Sequence, residues 1–230
     1  METHGERKCH MAIVARTTIQ TGYGIGNRQV SQVSEIALIH KELKEMREFF
    51  SRVIQMVPTF NVTDPKVLPY GLKPHTRSVS WIVEQVIVQQ AKYNSADLGA
   101  KAVDYDLPDT SLYDCVVDGH DGHRYFVNVK ITSAGKKQNK NDIAAVEKLY
   151  NQYVADPHFR IIYAVFRFSF NNTEIHFDKD GIHTFSPQFL PIYVNPRNDK
   201  IQAYYYADPQ ERTRSEFLSL LRDKSRSISL

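Results

Sequence analysis

A chain of 230 residues, 42% hydrophobic and 24% charged, can bury a sound core and reads as one soluble domain with decorations, or one and a half domains. A net charge of +3 and a pI near 8.7 admit a nucleic-acid partner without requiring one. Two cysteines, Cys9 and Cys115, exclude a disulfide framework and a cysteine-based zinc site within one chain, which points to a reducing cytoplasm. No apolar run reaches the length of a membrane span, and residues 1–16 lack the continuous apolar core of a secretory signal. Met11 stands as an alternative start.

Residues 1–77 are expected to form an N-terminal arm and a long amphipathic helix. Gly22, Gly24 and Gly26 superficially suggest a phosphate-cradling loop, but neither the Lys-Ser/Thr of a P-loop nor a full dinucleotide fingerprint is there. A flexible loop or DNA-wrapping arm is the simpler account. From about residue 30 to 57, Ile36, Leu43, Phe50 and Val57 recur at sevens, with Ile39, Met46 and Val53 between them. That is the seam of a packed helix pair. The seam serves either packing within the chain or a two-fold dimer contact, while Glu42, Lys44, Glu45, Arg47 and Glu48 are expected to face elsewhere.

Residues 78–90 (SVSWIVEQVIVQQ) place Val79, Ile82, Val83, Val86 and Ile87 at helical spacing and carry Glu84. A short strand is expected over 101–107. Residues 112–131 then read as a hairpin: apolar to Val117, two glycines and two aspartates over 118–123, and a β-branched and aromatic run from Arg124. The period of two puts Phe126, Asn128 and Lys130 on one face and Tyr125, Val127, Val129 and Ile131 on the other, with Asp114 able to meet the polar pair from the neighbouring strand. Residues 140–155 are expected to be helical, capped by Asn141 or Asp142, and 160–170 a strand.

Asp114, Asn128, Val129 and Lys130 resemble the motif of the PD-(D/E)XK nuclease superfamily, to which many type II restriction endonucleases belong. The family pattern is an aspartate on one strand, then an acidic residue, any residue and lysine on the next. The resemblance covers about 78–170 in topology, in the order αβββαβ. It implies a restriction-endonuclease-like fold, an α/β (α+β) mixed sheet flanked by helices. It also implies a Mg2+-dependent endonuclease of a restriction system, cutting double-stranded DNA at specific sites to leave 5′-phosphates. Asp114, the residue at 128 and a glutamate on the first helix, here Glu84, would hold the metal, and Lys130 would position the attacking water. The structural alternative for Glu84 is an exposed helix glutamate.

The departure is Asn128, where the family usually has aspartate or glutamate. An amide oxygen ligates a hard cation without bringing charge, so metal affinity should be lower unless another carboxylate compensates. Three accounts stay open: a natural asparagine, a carboxylate reaching in from a helix, or an acid-to-amide substitution. The alternatives for function are a DNA repair or junction-resolving nuclease of the same superfamily and a catalytically silent DNA-binding module.

The DNA contacts are expected from Lys136, Lys137, Gln138, Asn139, Lys140 and Asn141, where cations that neutralise phosphates alternate with amides that can read adenine. A solvated turn would be equally polar. Residues 171–230 are expected to complete the domain with a hairpin over 173–185, further strands over 190–194 and 201–206, and a helix over 212–222. Tyr204, Tyr205 and Tyr206 read as packing residues rather than a base-stacking platform. His120, His123, His176 and His183 lack helical metal-ligand spacing, and no nucleotide cofactor is expected. A homodimer would suit palindromic DNA.

Overall fold

The computed structural model describes residues 26–71, 76–108, 111–135, 140–195, 197–198 and 200–226, excepting the side chains of 26–33, 76–78 and 226. Gly22 and Gly24 therefore lie outside the described residues, as do Lys136, Lys137, Gln138 and Asn139. In chain order the elements are α1 (Gly26–Met56), β1 (Thr59–Asn61), α2 (Thr76–Tyr93), β2 (Ala102–Asp104), β3 (Cys115–Asp118), β4 (Arg124–Ser133) and β5 (Asn141–Ala145). They continue with α3 (Val146–Ala155), β6 (Ile161–Asn171), β7 (Glu174–Phe185), β8 (Tyr193–Val194), β9 (Lys200–Ala203) and α4 (Arg214–Arg226).

Six strands form a mixed sheet in the order β1-β7-β6-β4-β3-β2, and three form a second sheet, β5-β9-β8. β3 and β4 pair antiparallel through a tight turn. β4 and β6 pair parallel, which requires a crossover, and β5 and α3 supply it. The result is a mixed sheet flanked by helices, with the expected succession of a helix, three strands, a helix and a strand, into which β5 is inserted.

Alternation along β4 sorts two cores. Tyr125, Val127 and Val129 join Met46, Phe50 and Val53 of α1 and Val83 and Ile87 of α2 on one face. Phe126 joins Leu149 and Tyr153 of α3 and Phe217 and Leu221 of α4 on the other. The heptad seam of α1 is thus consumed inside the chain, where Phe50 meets Phe166 of β6 edge to face at 5.1–5.4 Å spacings that also include Phe49.

Four expectations are corrected. Helix α3 begins at Val146 rather than near residue 140, because 141–145 pairs with β9 instead, and Ala145 rather than Asn141 or Asp142 stands at its N-cap. The expected hairpin over 173–185 is one strand, β7, paired with β6 on both sides of an irregularity between Phe166 and Phe168. There Asp178 to Gly181 bulge outward. A side chain at Gly181 would come within 2.7 Å of the Arg167 and Asp178 Cβ atoms, so the bulge needs glycine. Glu42 does not face solvent with its charged neighbours but is buried. The three tyrosines do not behave alike: Tyr205 is buried, whereas Tyr204 and Tyr206 are 41% and 45% exposed.

Candidate active site

The hairpin turn closes with Gly119 N–H donating to the His123 carbonyl at 2.8 Å, and Gly122 adopts φ +81°, a conformation that favours glycine. This turn sets the register Cys115 opposite Val127 and Val116 opposite Phe126. One step further, Asp114 straddles Asn128. Its backbone N–H donates to the Val127 carbonyl at 2.8 Å, and its Oδ2 accepts the Val129 N–H at 2.7 Å. One carboxylate oxygen is thereby held by the backbone, which fixes where the rest of the carboxylate lies. Cys115, beside it, is fully buried with its thiol pKa pushed up by burial, so it is not a nucleophile here.

Asn128 is 8% exposed, and its Nδ2 donates to the Leu112 carbonyl at 2.9 Å. A carbonyl can only accept, so this bond sets which way the amide faces. Oδ1 is then a buried acceptor with no hydrogen-bond partner among the described residues. An acceptor left so costs about 1–3 kcal/mol, and such a group calls for a ligand or a functional reason. The same Leu112 carbonyl disfavours a carboxylate at 128, because two acceptors would face each other.

Glu84, in the middle of α2, is half-buried rather than exposed. Burial pushes its carboxyl pKa up to about 7, the Lys130 ammonium pulls it down, and the Asp114 carboxylate pushes it up again. Burial likewise raises Asp114 above the usual carboxylate range, against Lys130 and the Val129 N–H, which lower it. Glu84, Asp114 and Lys130 therefore lie within one another's electrostatic reach, although 46 residues separate the first from the last. Asn128, with its unpartnered Oδ1, stands two residues before Lys130 on the same strand.

Among the described residues, no group of three or more His, Cys, Asp or Glu side chains is placed to hold a metal ion. The donors around β4 are two carboxylates and an amide oxygen. Oxygen donors suit a hard cation, and both observed features fit one: an unpartnered Oδ1 and carboxylates whose ionised forms are disfavoured until a positive charge arrives.

Of the remaining candidates, Lys140 and Asn141 are among the described residues. Asn128 is opposite Tyr163 of β6, whose hydroxyl donates to the Ile143 carbonyl of β5 at 3.1 Å. Asn141 opens β5, and exposed Lys140 just precedes it, its Nζ 3.5 Å from the Tyr193 ring centroid. The sequence reading missed Tyr163 and Tyr193 and the Leu112 carbonyl. Tyr163 looks like any core aromatic, and a carbonyl leaves no mark in sequence.

No protein-family model matches the chain, and no curated protein matches it. Among solved structures, NlaIV restriction endonuclease is similar at a TM-score of 0.46 and 12% sequence identity, over 65% of this chain and 65% of that one. The chain thus spans less than two thirds of that enzyme's length. No helix of the described residues is long and apolar enough to cross a membrane.

Proposed function

We propose that the chain is a magnesium-dependent endonuclease of the PD-(D/E)XK superfamily, cutting double-stranded DNA at specific sites within a restriction system. The observation that carries this reading is the mutual electrostatic influence of Asp114, Glu84 and Lys130, with Asn128, whose buried Oδ1 has no partner among the described residues, two residues before Lys130 on β4. Asp114, Asn128 and Glu84 would hold the cation, and the Glu84 carboxyl must lose its proton first. The cation supplies Lewis-acid stabilisation of charge on the scissile phosphate and a more acidic water. Lys130 donates a hydrogen bond that orients the attacking water and stabilises the developing negative charge. Water attacks phosphorus in line, the 3′ oxygen leaves and takes up a proton, and a 5′-phosphate remains. A homodimer in the cytoplasm, with one site per strand, completes the reading. The α1 seam from Leu43 to Val53 packs inside the chain and is not free to serve as the dimer's contact surface.

The test is incubation with phage DNA and magnesium, followed by analysis of fragment ends. Discrete fragments bearing 5′-phosphates, lost in Lys130→Ala and in Asp114→Ala, are expected. Cleavage that survives both substitutions would exclude this site. A second reading, a DNA-binding module that does not cut, is favoured by the lack of a three-acid cluster among the described residues. It predicts salt-sensitive duplex binding with no hydrolysis.

A further inference from the structure

The second sheet presents a face that the nuclease chemistry does not use. Alternation turns Ile143, Ile201, Ala203 and Tyr205 into the core beneath β5 and β9. The opposite face therefore carries Lys140, Asp142, Lys200, Gln202, Tyr204 and, from β8, Tyr193. Asp142, Gln202 and Tyr193 are direct cross-strand partners and form one row across all three strands. Lys140 lies over Tyr193, with Tyr204 5.9 Å away on its other side. These two tyrosines meet edge to face. The ammonium is thereby braced while Lys140 remains exposed.

We infer that this outward face of β5-β9-β8 reads base edges in the DNA major groove, with Gln202 as the base-reading side chain and Lys140 and Lys200 on the flanking phosphates. The inference rests on the nuclease reading above and extends it to sequence choice. Gln202 Nε2 donates to Asp142 Oδ1 at 2.8 Å, and because a carboxylate can only accept, the amide orientation is set. A second N–H and the amide oxygen are left to offer, and that donor and acceptor pair is the one that matches adenine. Asp142 also accepts from Asn198 Nδ2 at 3.3 Å, so the row is held before any ligand arrives. Among the described residues, exposed Lys140, Lys200 and Arg197 outnumber the one carboxylate of this face, Asp142, which favours a polyanion. The antiparallel pair β8 and β9 supplies the two-stranded ribbon that the major groove admits. Finally, the Tyr163 hydroxyl pins Ile143, the neighbour of Asp142, to the sheet row that holds Asn128. One hydrogen bond thus links the second sheet to the strand beside Asn128.

The test compares full-length wild type with Gln202→Ala, Lys140→Met and Tyr193→Ala on two substrates, phage DNA and the small diester bis(p-nitrophenyl) phosphate, with duplex binding measured alongside. The small diester reaches the site without needing a groove contact. The expected result for Gln202→Ala is a ratio of DNA cleavage to diester hydrolysis that falls about 10-fold to 100-fold, or a relaxed fragment pattern. Lys140→Met should lower the salt dependence of duplex binding by about one counterion, and Tyr193→Ala should weaken duplex binding with the salt dependence kept, because Lys140 retains its charge but loses its brace. An unchanged ratio and fragment pattern in Gln202→Ala would overturn the inference. So would a loss of self-association with DNA affinity intact, which would make this face a contact between copies of the chain. If wild type hydrolyses neither substrate, the nuclease reading fails by itself. In that case weaker duplex binding by all three variants still supports a DNA-reading face, and undiminished binding overturns it.

Discussion

Carboxylates drawn out of solvent lie against both ends of β4, Glu42 buried and Asp114 and Glu84 half-buried, and the two ends treat them in opposite ways. At the start of the strand, the Glu42 side chain is 3% exposed and every approach to it is by a donor. Arg160 Nε donates to its two oxygens at 3.0 and 2.9 Å, and His123 Nε2 lies 2.8 Å from Oε1. Next to it, the Tyr125 hydroxyl donates to Glu45 at 2.8 Å. Toward the other end, Asp114 and Glu84 carry raised pKa values and Asn128 Oδ1 has no partner. The saturated cluster ties α1 to the hairpin turn and to the start of β6. The unsaturated one leaves free energy for a ligand to recover, which is how a binding site differs from a structural ion pair.

Lys130→Ala and Asp114→Ala act on the unsaturated cluster and should have the largest effect. A loss of about a thousand-fold in magnesium-dependent DNA cleavage is expected, with the urea midpoint not lowered by Lys130→Ala and lowered by Asp114→Ala only as far as the loss of about 1–3 kcal/mol from freeing the Val129 N–H requires. Unfolding of either variant under assay conditions would mean that this cluster, too, is structural. At the other end, Glu42→Gln should leave Arg160 buried without its counter-charge. It should cost about 3–5 kcal/mol in urea denaturation while preserving the magnesium requirement of cleavage.

Asn128→Asp sharpens the contrast between the ends. Without metal it should destabilise the fold by about 1–3 kcal/mol, since it loses the bond to Leu112 and adds charge beside Asp114. Magnesium should then raise its Tm by more than it raises that of wild type, which thermal melts with and without the ion would reveal.

Proton linkage supplies a fourth comparison. Glu84 has a folded pKa of about 7 against an ordinary 4.5, so between those values the metal-free folded state binds more protons than the unfolded chain. Stability should therefore fall as pH rises from 4.5 to 7, and Glu84→Gln should flatten that slope. Cleavage should run the opposite way, rising as Glu84 ionises near pH 7. A stability profile that Glu84→Gln leaves unchanged would remove Glu84 from the site. The smallest effect belongs to His123→Ala, about 1 kcal/mol, because its ring is partly exposed and Arg160 still holds Glu42.

Much of this was legible in residue order. Period-two alternation assigned the faces of β4 correctly, and the helical spacing around Val83 and Ile87 found α2. Local patterns failed where long-range pairing overrode them. The stretch Asn-Asp-Ile-Ala-Ala has the composition of a helix start but forms β5, because β9, some 60 residues on, offers it a ladder. Glu42 looked like one of several solvent-facing charges on α1, yet Arg160 and His123 draw it inward. Neither partner is near it in sequence.

Residue order alone sets the chemical groups and their strand and helix positions: Asp114 ahead of one strand, Asn128 and Lys130 two apart on the next, and Glu84 within a helix. Those follow from turns and periodicities that act over a few residues. Only the tertiary structure decided that Glu84 titrates near pH 7, that the Leu112 carbonyl turns Asn128 Oδ1 away without a partner, and that Lys140 is braced by Tyr193. Desolvation, field and hydrogen-bond satisfaction depend on what surrounds a group in space, and for these residues most of that surrounding comes from distant parts of the chain.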